Sequence, residues 1–159
     1  MKPLYVFVFA ALLPLAATAQ EAAAPTVSTD VTETETAGFA PVSAADQSFD
    51  DLLYLKRPIV VFADSPNDPN YLRQMELLAL DYTAMVERDV ILITDTDPKA
   101  KSEWRTKLRP RGFSLVLMDK DLKPVIRKPL PWEVREITHA IDKFPLRRQE
   151  ILERNPAGR

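Results

Sequence analysis

No cysteine occurs in this chain of 159 residues, and that absence constrains its fold more than any residue present. The N-terminus reads as an export signal, so the folded part is expected to work where disulfides can form. Lacking a thiol, it has to hold together without disulfides. Lys2 supplies the positive start of the signal, and Leu4 to Ala17 form an apolar run interrupted by Pro14. Ala17-Thr18-Ala19 is a small-x-small cleavage pattern before Gln20. Residues 1–19 are therefore expected to be a signal peptide, with the product periplasmic or secreted. The apolar run is too short to predict a stable membrane span after cleavage. It is followed by no cysteine that could carry a lipid anchor.

Residues 20–45 are rich in alanine, threonine, glutamate and proline and poor in large apolar side chains. Ordering such a stretch costs backbone entropy that its side chains cannot offset by burial, so it is expected to be a disordered spacer. Residues 46–150 are long enough for one core and are expected to form one domain, with residues 151–159 a flexible tail. A single histidine, His139, leaves zinc and haem sites poorly supplied, and no cofactor is expected. His139 falls off the apolar stripe of its segment and reads as an ordinary surface residue.

Formal net charge is −2, but from Lys99 to Lys128 ten Lys or Arg face three acids, Glu103, Asp119 and Asp121. Such a run can attract an anionic partner. No aromatic residues are interleaved as a single-strand nucleic-acid surface requires, so nucleic acid is not expected. Composition carries no indication of oligomeric state.

Pro58 to Ala63 is a continuous apolar run, as in a strand covered on both faces. It stops at the polar turn Asp64 to Asp68. Asp68 before Pro69 predicts a helix start, because the carboxylate accepts free backbone N–H groups and proline lacks one. Leu72, Met75, Ala79, Tyr82 and Val86 recur at helical spacing and predict a single helix from Pro69 to near Glu87. Strands are expected at Val90–Thr94, Phe113–Met118 and Pro124–Arg127. The last two form a hairpin about Asp119-Lys120-Asp121. Ser102 to Leu108 reads as a short helix or crossover, and Val134, Ile137 and Ile141 predict a final helix ending near Lys143. The order β-α-β-(α)-β-β-α implies an α/β sandwich of three layers with a central mixed sheet.

Several local patterns lie along this order: Lys56-Arg57; Val60-Val61-Phe62-Ala63 with its polar loop; Gln74; Glu87-Arg88-Asp89-Val90; Gly112-Phe113; Lys120-Asp121; and Ile141 to Glu150. Together they resemble the thioredoxin-like domain of unknown function found in short exported bacterial proteins. That domain has a relative in sushi-repeat and coiled-coil extracellular matrix proteins of animals. The resemblance implies a thioredoxin-like fold and no settled activity. Thioredoxins place Cys-x-x-Cys after the first central strand, where this chain has Pro66, Asn67, Asp68 and Pro69. Their cis-proline position falls on Phe113, with Pro110 three residues early. Thiol–disulfide exchange needs a thiolate, so redox activity through this site is excluded.

Asp64, Ser65 and Asp68 lie at the carboxyl end of a central strand, where open α/β sheets present ligands. They admit a hard-cation reading, but the loop offers too few oxygens, and Ser65 as a nucleophile lacks a nearby base. The simpler reading is structural, with Asp68 a cap and Ser65 a turn residue. Arg147 and Arg148 could clamp a carboxylate or phosphate, or pair with Glu87 or Asp89 to lock the tail. Arg109 and Arg111 flank Gly112-Phe113 and could meet an anionic ligand there. Trp104 and Trp132 read as core or helix-end covering residues, with interface anchoring the alternative.

The function expected from these features is a non-catalytic binding or accessory domain of the bacterial envelope, with an envelope protein or anionic ligand as partner. A non-redox enzyme or metal-binding protein using Asp64, Asp68 and nearby arginines is the alternative. A pocket lined by Asp64 and Arg111 would favour the alternative. An apolar patch around Phe113 and Trp104 would favour the binding domain.

Overall fold

In the computed structural model, which describes residues 40–155, the chain enters the sheet earlier than expected. Strand β1 (Val42–Ser43) lies inside the stretch read as spacer. It pairs in parallel with β3 (Val90–Asp95), Val42 facing Ile93, and the Ala44 N–H donates to the Thr94 carbonyl at 2.9 Å. The domain therefore begins before residue 46. The Leu4–Ala17 run, residues 20–39 and residues 156–159 lie outside the described residues.

The apolar run forms β2 (Arg57–Phe62), in which all six residues are buried. Side chains alternate across a strand, so Ile59 and Val61 enter one core while Val60 and Phe62 enter another. Strand β2 is parallel to β3, with Arg57 opposite Val90 and Phe62 opposite Asp95. It is antiparallel to β4 (Ser114–Met118), with Phe62 opposite Ser114. Strand β5 (Pro124–Lys128) closes the expected hairpin. The sheet order is β1-β3-β2-β4-β5: β1, β3 and β2 are parallel, β4 is reversed, and β5 turns back antiparallel to β4.

The predicted long helix is two helices, α1 (Pro69–Ala79) and α2 (Tyr82–Val86). Asp81 breaks them: its backbone is non-helical (φ −149°, ψ 73°) and its carboxylate accepts from the Ala84 N–H at 3.1 Å. Asp prefers such a cap to a helix interior because its short carboxylate competes for backbone N–H groups. The break also moves the buried stripe. Tyr71, Gln74, Met75 and Leu78, spaced three and four apart, face the sheet with Met85, while Leu72, Ala79, Leu80 and Val86 are exposed.

Helices α1, α2 and α4 (Val134–Ile141) cover one face through Leu78, Met85, Val134, Ile137 and Ile141. Helix α3 (Glu103–Leu108) covers the other through Trp104 and Leu108. Trp104 is fully buried and its indole N–H donates to the Gln47 carbonyl at 2.7 Å, so it is a core residue. A fifth helix, α5 (Pro145–Arg154), follows and carries regular structure four residues beyond Glu150, into the segment expected as tail. The architecture is a thioredoxin-like α/β fold: a mixed five-stranded sheet between two helical layers.

Candidate functional site

The loop that replaces the redox motif is occupied with its own geometry. Asp68 Oδ1 accepts from the Asn70 and Tyr71 N–H groups at 2.8 and 3.1 Å, which makes it the expected cap of α1. Ser65 Oγ accepts from the Asn67 N–H at 3.2 Å, and its carbonyl accepts from the Asp68 N–H at 3.2 Å. Asp64 is exposed and meets Arg105 Nη1 at 3.4 Å. Arg105 is itself bound on the buried Asp95 at 3.0 Å and on the Ala63 carbonyl at 2.7 Å. The three loop residues are thus engaged in a turn, a cap and an ion pair. Among the described residues no three His, Cys, Asp or Glu side chains gather as a metal ion would need.

Beside this loop the segment before β4 comes close. Gly112 has φ +58°, in the left-handed region glycine tolerates, and a Cβ there would lie 4.0 Å from Asp64 Oδ2. Just upstream, Arg109 ends α3 in the same left-handed region (φ 49°), its N–H donating to the Arg105 carbonyl at 2.9 Å. For a residue with a side chain that conformation costs about 1 kcal/mol or more. It swings the chain out of the helix so that Arg109 and Arg111 flank a cleft of about 560 Å³. Leu108, Phe113, Ser114, Arg127 and Pro129 complete its lining.

Arg127 enters from β5, where it lies opposite Val116 on the α3 face of the sheet. Its Nη2 donates to the Leu108 carbonyl at 2.7 Å, a cation placed on the negative end of α3. Three arginines therefore line one cleft, and no carboxylate lines it. None of the three has an ion-pair partner among the described residues, whereas the buried or largely buried Arg57, Arg88, Arg105 and Arg147 are all matched. Such a site can take a carboxylate or phosphate by charge-assisted, planar hydrogen bonds.

Of the residues expected at a binding site, Arg109, Arg111 and Phe113 share this cleft, with Asp64 behind Gly112. Ser65 and Asp68 do not line it. The sequence reading missed Arg127 and Ser114, although Arg127 lies within the basic run. Among the described residues the expected pocket of Asp64 with Arg111 does not form: Arg111 lines the cleft and the exposed Asp64 does not. Nor does the apolar patch of Phe113 with Trp104, since Phe113 is buried in the α1 and α4 layer and Trp104 in the α3 layer.

Arg147 and Arg148 lie at the opposite end of the sheet, where β2 begins. There Arg57, wholly buried, donates to Asp119 Oδ1 at 3.0 Å, to Glu150 Oε1 at 2.8 Å and to the Arg88 carbonyl at 3.0 Å. Lys120 Nζ bridges Asp89 and Glu150, both at 2.9 Å. Arg147 meets Asp142 at 3.4 Å and Glu150 at 3.3 Å, not the expected Glu87 or Asp89. Arg88 takes both oxygens of Asp142, at 3.0 and 2.8 Å. Burial opposes ionisation of Glu150, but hydrogen bonds and charge from Arg57 and Lys120 outweigh it and lower its pKa from 4.5 to about 2. Asp142 is likewise held below the usual carboxylate range: burial raises it, and Arg88 with Arg147 lowers it further. Most of the charged patterns that carried the family resemblance, from Arg57 to Glu150, belong to this network. Arg148 is exposed and outside it.

Among solved structures, the chain is similar to chloroplastic thioredoxin z, at 16% identity over 66% of this chain and 92% of that one, with a TM-score of 0.48. It is also similar to Plasmodium yoelii Prx1a, at 17% identity over 68% and 81% of the two chains, again with a TM-score of 0.48. No curated protein matches it. One family model matches residues 48–150, which take in β2 to β5, the arginine cleft and the ion network. This cysteine-free, thioredoxin-like chain therefore belongs to the family described as Domain of unknown function (DUF4174).

Proposed function

We propose that this chain is an exported, non-catalytic binding domain of the bacterial envelope, which holds an anionic partner at the cleft of Arg109, Arg111 and Arg127. The reading rests chiefly on one observation: three arginines converge on a cleft that no carboxylate lines. The absence of cysteine removes exchange chemistry at the neighbouring loop. Asp64 and Asp68, on which the enzyme alternative depended, are taken up by an ion pair and a helix cap. Export is supported by the signal pattern of residues 1–19, and periplasmic or secreted localisation follows from it. The shared local patterns support kinship with the domain of the animal sushi-repeat and coiled-coil matrix proteins.

The test is titration with poly-glutamate at fixed moderate salt. A variant with Arg109, Arg111 and Arg127 all replaced by Ala is compared with one in which exposed Lys56, Arg135 and Arg148 are replaced instead. Both lose the same charge. The first should lose affinity by about tenfold or more and the second by much less, since general attraction depends on net charge and a site depends on position. Equal losses would refute the site, and no binding by the unaltered protein would refute the function.

A further inference from the structure

We infer that the partner at the cleft is an extended acidic polypeptide segment, which adds to the sheet along the outer edge of β5 and seats a carboxylate among Arg109, Arg111 and Arg127. The inference rests on the binding function proposed above and goes further in naming the partner's backbone conformation and the way it docks.

Strand β5 is the last in the sheet order and pairs only with β4 among the described residues. Its two halves differ. At the lower end Pro124 has no N–H to offer, and the pairing slips so that Leu117 faces Ile126 while Met118 faces Pro124. Val125 is left as the extra residue. A proline and a bulge are two devices that keep an edge strand from pairing. The upper end, Ile126 to Lys128, is regular, in register with Leu117, Val116 and Leu115. This is the end that reaches the cleft, through Arg127 and then Pro129. The open part of the edge and the unmatched cations thus coincide.

Charge selects the occupant. A second copy of the chain pairing edge to edge would set Arg127 and Lys128 against their own counterparts, and like charges across strands repel. An acidic strand meets them favourably. Strand addition supplies affinity through main-chain hydrogen bonds and specificity through alternate side chains. An acidic residue on the α3 side of the added strand would reach Arg127 and the cleft. On the other side lie Ile126, partly buried, and Lys128, whose Nζ rests 4.2 Å from the centre of the Trp132 ring.

The experiment titrates the full chain with three labelled peptides of equal length. One alternates glutamate and threonine, the second is the same peptide N-methylated at every amide, and the third replaces glutamate by lysine. Methylation keeps the charge but removes the donors that strand pairing needs. The first peptide should bind, with affinity at least about tenfold above the second, and the third should not bind measurably. Arg127→Ala should weaken the first peptide by about tenfold, whereas Arg148→Ala leaves it unchanged. Far-UV circular dichroism checks that both variants keep their fold. If the methylated peptide binds as well as the first, strand addition is refuted while the anion site stands. Equal binding of the lysine peptide overturns the inference. If neither the acidic peptides nor poly-glutamate bind, the proposed function fails with it.

Discussion

Replacing Glu150 by Gln isolates the contribution of the ion network to stability. Its Oε1 accepts from Arg57 Nη2 at 2.8 Å and from Lys120 Nζ at 2.9 Å, so this carboxylate ties α5 to the first central strand and to the hairpin. In the folded protein its pKa lies at about 2, against 4.5 ordinarily. At about 1.4 kcal/mol per pKa unit, the lowering represents about 3 kcal/mol. The sign follows from proton counting: between the two values the unfolded chain binds the proton and the folded one does not. The stabilisation is therefore complete above pH 4.5 and is lost as pH falls toward 2. Urea unfolding, followed by far-UV circular dichroism from pH 6 to pH 2, measures it. The unaltered protein should lose about 3 kcal/mol more than Glu150→Gln across that window. At pH 7 the variant should unfold at a urea concentration lower by about 2 M, for a slope of about 1.5 kcal/mol per M. Parallel pH profiles for the two proteins would refute the reasoning.

Two further substitutions separate structural from binding roles. Arg57→Met leaves Asp119 and Glu150 without their shared cation and should cost about 3–5 kcal/mol, the cost of removing one partner from a buried ion pair, measured by urea unfolding. Asp68→Ala removes the cap of α1 and should cost about 1 kcal/mol in thermal or urea unfolding, with poly-glutamate affinity unchanged. A loss of affinity in that variant would return the loop to the binding site.

How much was legible in the sequence depended on what holds each element. Strand β2 was plain because its apolar run is uninterrupted, and the start of α1 because Asp68-Pro69 is a local signal. The hairpin followed from the short spacing of its strands. Elements held by distant partners were not legible. Strand β1 is two residues long and joins the sheet through backbone pairing of Val42–Ala44 with Ile93 and Thr94 of β3, which no side-chain pattern announces. Helix α5 buries only Arg147 and is held by charges 27 to 93 residues away, from Asp119 to Arg57. The single long helix failed because Asp81 interrupts a periodic stretch without a proline or glycine to mark the break. In the cleft, Arg109 and Arg111 were legible by nearness to Gly112. Arg127 was not, because only the antiparallel return of β5 brings it to the end of α3.

Amide chemical-shift mapping of the protein with the acidic glutamate–threonine peptide tests the central claim most directly. The account predicts that the perturbed amides cluster at residues 109–114 and 126–128. Perturbations confined to residues 142–150 or to the Asp64–Asp68 loop would contradict it.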